Sequence, residues 1–180
     1  AAERRAIIRV VGRMPLSLVL VATLLASEDG GVDSLQGVSG KRRLWFSASD
    51  EVIQGQLYER ILGHIHNPRV RKLAHPGLVL RRVTPDLIEH VLNEPCNLGI
   101  ESSADARGLF EELKRETSLV TIDLAEDAVV HRRDLRGVML KLMVAKDASL
   151  VRAIHVGAAA WFEASRDLRS RAEYCYHALH

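Results

Sequence analysis

Only one stretch of this 180-residue chain reads as β structure. In LVTIDLAEDAVVHR, the strand-forming LVTID (119–123) runs into a turn-forming LAEDA and a returning VVHR (129–132). A lone hairpin cannot build a sheet layer, so helices must supply the core and the fold class is mainly α. Aromatic residues are only 4% of the chain, so that core must be aliphatic.

The helices around the hairpin come in an informative order. NPRVRKLAH (67–75) reads as a short helix punctuated at Asn67-Pro68, and PGLVLRRV (76–83) as a connection. TPDLIEHVL (84–92) has a Thr N-cap, Pro at the first helical position and acids in the first turn. NEPCNLGI is a loop, SSADARGLFEELKRETS (102–118) is a further capped helix, and after the hairpin RDLRGVMLKLMVA (133–145) is helical again. Three helices followed by a β-hairpin is the winged-helix arrangement, which predicts a winged-helix domain over 67–146.

Residues 147–165 and 166–180 read as an antiparallel helical pair. Ala158, Ala159 and Ala160 permit close contact, and Trp161, Tyr174 and Tyr176 give it bulk. This pair is expected to begin a helical-repeat, TPR-like region.

The N-terminal third is more ambiguous. Arg4, Arg5, Arg9 and Arg13 precede the apolar PLSLVLVATLLAS, which is the outline of a secretory signal. Ser17 and Thr23 interrupt the run, and the preceding Ile7, Ile8 and Val11 have helical spacing of their own. The run also falls short of the roughly 20 apolar residues that span a bilayer. It is therefore read as a buried helix opened by Pro15, with no membrane partner and a cytoplasmic setting. The first residues, Ala-Ala-Glu without an initiator Met, suggest a piece of a longer protein. A Gly- and Ser-rich loop (28–47) follows, and SASDEVIQGQLYERILGHI carries Val52, Leu57, Ile61 and Leu62 at amphipathic spacing. Residues 1–66 are expected to form a helical lid subdomain containing that mobile loop. Cys96 and Cys175 are the two cysteines, too few for a disulfide framework or a paired CxxC metal site.

Most chemistry is excluded by inspection. A net charge of +2 is too small to imply a nucleic-acid partner. The third helix, which enters the major groove in DNA-reading folds, has Arg107, Lys114 and Arg115 against Asp105, Glu111, Glu112 and Glu116. His64 and His66 are two apart and face different ways on a helix, so with His75 and His131 they make no metal-ligand pattern. GVSGKRR lacks both the upstream Gly and the following Ser or Thr of a phosphate loop. No complete catalytic apparatus is present, which leaves enzyme status to whatever longer protein contains this chain.

Two stretches carry a family resemblance. GRMPLSLVLVATLL is similar to the GLPLAL-like lid motif of STAND-class P-loop ATPases of the AAA+/NB-ARC kind, and SLVTIDLAEDAVVHRRDLRGVML resembles the end of their winged helix, where a hairpin leads into a His-Asp-Leu motif. The resemblance covers nearly the whole chain in the family's order: lid, winged helix, helical-repeat sensor. It implies that Pro15 packs against the adenine and that Asp134 and Leu135 take the motif's Asp-Leu. Arg133 then stands where the family has its nucleotide-sensing His, with His131 as an alternative two residues earlier. Arg13 departs from the usual Gly. The function implied is regulation of an ATP/ADP-switched signalling ATPase. The nucleotide would be held mainly by an upstream core domain, and a protein partner or oligomer would form through the helical-repeat region. A winged-helix transcriptional regulator and a nucleotide-independent interaction scaffold are the alternatives.

Overall fold

A computed structural model describes residues 17–19, 22, 50–63, 65–116 and 119–180. Pro15, the N-terminal helix, the loop at 28–47 and His64 lie outside the described residues. The chain divides into two compact units, residues 1–64 and 65–180. In the first, residues 17–19 are helical and α1 spans Asp50–Gly63, burying Tyr58, Ile61 and Leu62. Burial pushes the Tyr58 hydroxyl well above its ordinary range.

The second unit begins with α2 (Pro68–Ala74). Its N-cap is Asn67, whose side-chain oxygen accepts from Arg69 N at 2.7 Å and Val70 N at 3.2 Å, with Pro68 at the position where a missing N–H is harmless. The segment expected as a plain connection is more ordered than its sequence suggests. Pro76–Val79 form a 3-10 turn, and Val83 bridges Val129 by Val83 N→Val129 O at 2.8 Å and Val129 N→Val83 O at 2.9 Å. The run from Leu78 to Val83 is too short, and is interrupted by Arg81 and Arg82, so it shows no strand period and only its partner in the hairpin reveals the bridge.

Helix α3 starts at Pro85, with Thr84 Oγ1 accepting from Leu87 N at 3.3 Å, and after Leu87 it widens to a π turn over Ile88–Leu92. The following loop turns back through left-handed residues Asn97 (φ 49°) and Gly99 (φ 64°), types that tolerate this region. Asn93 fixes it by exchanging two hydrogen bonds with the Ile100 backbone. Helix α4 (Ser103–Lys114), capped by Ser102, buries Ala106, Leu109, Phe110 and Leu113 at i, i+3, i+4 and i+7. It ends four residues before the expected 118, in turn-type bonds from Arg115 N and Glu116 N back to Glu112 O and Leu113 O.

Strands β1 (Val120–Asp123) and β2 (Ala128–His131) form a two-stranded antiparallel sheet in the register Val120↔His131 to Asp123↔Ala128. Helices α5 (Arg133–Lys146), α6 (Ala148–Glu163) and α7 (Leu168–Ala178) complete the chain, the last two opened by Asp147 and Asp167 caps. The architecture is mainly α with one hairpin. In chain order the second unit runs helix, bridge, two helices, hairpin and three helices. α6 packs on the 3-10 turn, the π turn and α5, so the C-terminal pair belongs to the same compact unit as α2–α5 and the hairpin. The core of the second unit is aliphatic, built on Leu73, Leu78, Val79, Val83, Ile88, Leu92, Leu113, Val129 and Ile154, with the Phe110 ring fully buried among them. Among the described residues no helix is long and apolar enough to cross a membrane.

Candidate functional site

The junction between hairpin and α5 holds the residues singled out by the motif. An open groove there is lined by Thr121, Ile122, Leu124, Val130, Arg132 and Arg133, among others. The chain leaves β2 with Arg132 N donating to Leu119 O at 3.3 Å, and Arg132 takes the N-cap position of α5 without a side-chain cap. Arg133 is therefore the first helical residue, and its side chain is exposed. Asp134 is the second residue of the helix, where a carboxylate complements the helix dipole. Its side chain lies outside the described atoms. Leu135 is buried.

His131 is placed quite differently. It closes β2 opposite Val120, and its ring is 1% exposed, packed where a Cβ added to Gly77 would sit 3.2 Å from its Cε1. Burial is the main cause that pushes its pKa down to about 4, against the opposing pull of the Ala74 carbonyl. The ring is a neutral core group at pH 7. Arg133 is exposed, and the groove it lines is shared with Asp123, Arg132 and the buried His131.

A second group of polar side chains lies between α6, α7, α5 and the Val79–Val83 segment. His155 Nδ1 and His177 Nδ1 are 2.9 Å apart and buried. Glu173, also buried, accepts from Arg81 Nε at 2.9 Å and lies 4.0 Å from His177 Nε2. Arg136 donates to Tyr176 Oη at 2.7 Å, and the His180 ring stacks on His155 at 5.0 Å. Sequence inspection weighed His64, His66, His75 and His131 and passed over this cluster. A signal was present: His155 falls on the stripe Val151, Ile154, His155, Ala158 and Phe162, which is the buried face of α6. Among the described residues, no three His, Cys, Asp or Glu side chains converge as metal ligands.

The exposed face of α4 bears on DNA reading. Asp105 takes a bidentate pair from Arg69 at 2.8 and 2.6 Å, and that guanidinium holds the carboxyl below its usual range. Arg107 pairs with Asp127, Lys114 bonds Glu111 at 2.9 Å and lies 3.7 Å from Asp127, and Asn67 Nδ2 donates to Glu112. Two of the three cations of this stretch, Arg107 and Lys114, are engaged by acids of the same unit, while Arg115 is exposed at the C-cap.

The chain matches no family model, no curated protein and no solved structure.

Proposed function

We propose that this chain is the regulatory lid, winged-helix and helical-array portion of a STAND-type signalling ATPase. ATP and ADP would bind mainly to a core domain that precedes it in the whole protein. The observation that carries the reading is Arg133, exposed at the start of α5 directly after the hairpin, where the family resemblance sets the nucleotide-sensing residue. An exposed guanidinium beside the first-turn N–H groups of a 14-residue helix suits a phosphate. The burial of His131 favours Arg133 over it for that part.

In this reading ADP holds the lid and winged helix closed against the core. Exchange for ATP swings the winged helix outward and permits oligomerisation through the helical region. This is a two-state element biased by differential contacts. The test uses the full-length protein from the native reading frame, denatured to release bound nucleotide for chromatography. Stoichiometric ADP, retained less well after Arg133→Ala or Asp134→Ala, supports the switch. A full-length protein with no P-loop and no nucleotide overturns it. Unchanged nucleotide retention and activation in both variants removes the sensor role from this turn.

The DNA-regulator reading is disfavoured by the ion pairing of α4. The nucleotide-independent scaffold reading draws on Val156, Trp161, Leu168 and Leu179, which are exposed on α6 and α7 and just beyond. It expects partner binding that ATP and ADP leave unchanged.

A further inference from the structure

Helix α7 is fastened to its unit largely through polar groups. Its buried residues are Glu173 and His177, while Leu168 and Leu179 at its two ends stay in water. Arg81 reaches it from the Val79–Val83 segment, donating to Glu173 at 2.9 Å and to Ala172 O at 3.3 Å. Arg136 reaches it from α5 through Tyr176, and Arg169 at its start pairs with Glu126 of the hairpin turn, which also pairs with Arg82. The contact with α6 centres on His155 and His177.

The 2.9 Å separation of the two Nδ1 atoms fixes their protonation. One ring must donate and the other must accept, so a single proton lies between them. His155 as donor leaves His177 protonated on Nε2, which lies 4.0 Å from the Glu173 carboxylate, beyond hydrogen-bond distance. Once both rings are charged, two N–H groups meet head-on. The charged groups facing the pair are Arg81, Arg136, His180 and Glu173, from every element packed on it. Three are cations or become so in acid, and the one carboxylate is already committed to Arg81.

We propose that the His155–His177 pair is an acid-operated latch, which on taking up protons releases α7 while the hairpin and α2–α5 remain folded. The proposal is independent of the nucleotide reading. Burial is the largest cause pushing His155 down to about 4 and His177 down to about 3, and the neighbouring cations add to it. The docked helix therefore binds fewer protons than the released one. Docking weakens as pH falls below the ordinary histidine value of about 6.5, and the loss levels off once pH passes below the docked values. For His155 alone this raises the released population roughly 30-fold between pH 7.5 and pH 5.

The experiment is amide hydrogen exchange on the whole chain at pH 7.5 and pH 5, with rates corrected for intrinsic chemistry. The histidine ring protons are followed by NMR alongside. Protection over 168–178 should fall at least ten-fold, and at pH 5 the opening free energy of α7 should lie below that of α4, which His131 also weakens in acid. The double variant His155→Phe/His177→Phe, which removes both titrating groups, should abolish the difference. Equal opening free energies for α4 and α7 at pH 5, or a double variant with the same pH response in α7, overturns the latch. Should that variant not fold, the wild-type rings decide. Histidines 155 and 177 titrating near 6.5 while α7 stays protected would overturn it, and titration coincident with loss of protection would support it.

Discussion

Arg136 Nη2 donates a 2.7 Å hydrogen bond to Tyr176 Oη, and the same guanidinium caps the carbonyls of Leu78 at 2.8 Å and Val79 at 3.0 Å. One side chain thus ties α5 to both the 3-10 turn and α7. Leu78 and Val79 are buried, so removing their donor leaves carbonyls without a partner. Arg136→Ala is expected to lose about 3 kcal/mol in urea unfolding and Tyr176→Phe about 1 kcal/mol. The double variant should fall short of the sum, because both changes delete one shared bond. Strict additivity would mean the contact contributes nothing.

His131 makes core stability pH-dependent. Its pKa of about 4 in the fold lies below the unfolded value of about 6.5, so the unfolded chain binds the extra proton first. The neutral ring's advantage is fully present above pH 6.5 and is lost as pH falls toward 4, by about 3 kcal/mol in all. Urea midpoints of the wild type and His131→Leu, compared at pH 7 and 4.5, should show the smaller acid response in the variant. Equal responses would place the acid sensitivity elsewhere.

Gly77 leaves room for that same ring. A Cβ there would lie 3.2 Å from His131 Cε1, tight enough to make that ring shift, and at an ordinary contact distance of 3.6 Å from Val83 Cγ2. Gly77→Ala should destabilise by about 1 kcal/mol through overpacking. The penalty should shrink in a His131→Ala background, a coupling that a double-mutant cycle on melting curves would read directly.

Phe110 is fully buried on α4 and is the largest ring in the core of its unit. Phe110→Ala is expected to remove about 3–5 kcal/mol, enough to make the unit marginal at 37 °C. A loss below 1 kcal/mol by chemical denaturation would contradict the burial of this face of α4.

Asp127 occupies the left-handed region (φ 45°) in the turn between β1 and β2, and its carboxylate meets Arg107 and Lys114 of α4. Asn tolerates that backbone and Ala does not. Asp127→Asn should therefore melt closer to the wild type than Asp127→Ala does. The Asn variant also takes the carboxylate from Arg107 and one of two from Lys114, so it should bind duplex DNA more tightly than the wild type at low salt, a gain lost at physiological salt. Equal melting of the two variants would show that the turn carries no conformational demand.

The helix starts were legible from the sequence because capping is local. Asn67 before Pro68, Thr84 before Pro85 and Ser102 each satisfy N–H groups within three residues of themselves. The hairpin was legible for the same reason, since two short apolar runs flank one turn. The widened turn at Ile88–Leu92 and the Val83 bridge were not, because each is completed by a distant partner: His90 stacks on Trp161 at 4.7 Å, and Val83 bonds Val129. Nor did spacing reveal that His131 turns inward while Arg133, two residues on, stays in water.

What the sequence determined by itself is the mainly α class, the aliphatic core and the order of elements, all of which follow from residue types within a turn or two of each other. Tertiary structure alone decided which polar groups were buried and with whom. His155 and His177 are 22 residues apart on different helices. Arg69 and Asp105 are 36 apart, and Arg81 and Glu173 are 92 apart. A buried polar group is tolerable only when a specific partner meets it. Its identity is set by how the helices cross, which no local run of sequence encodes.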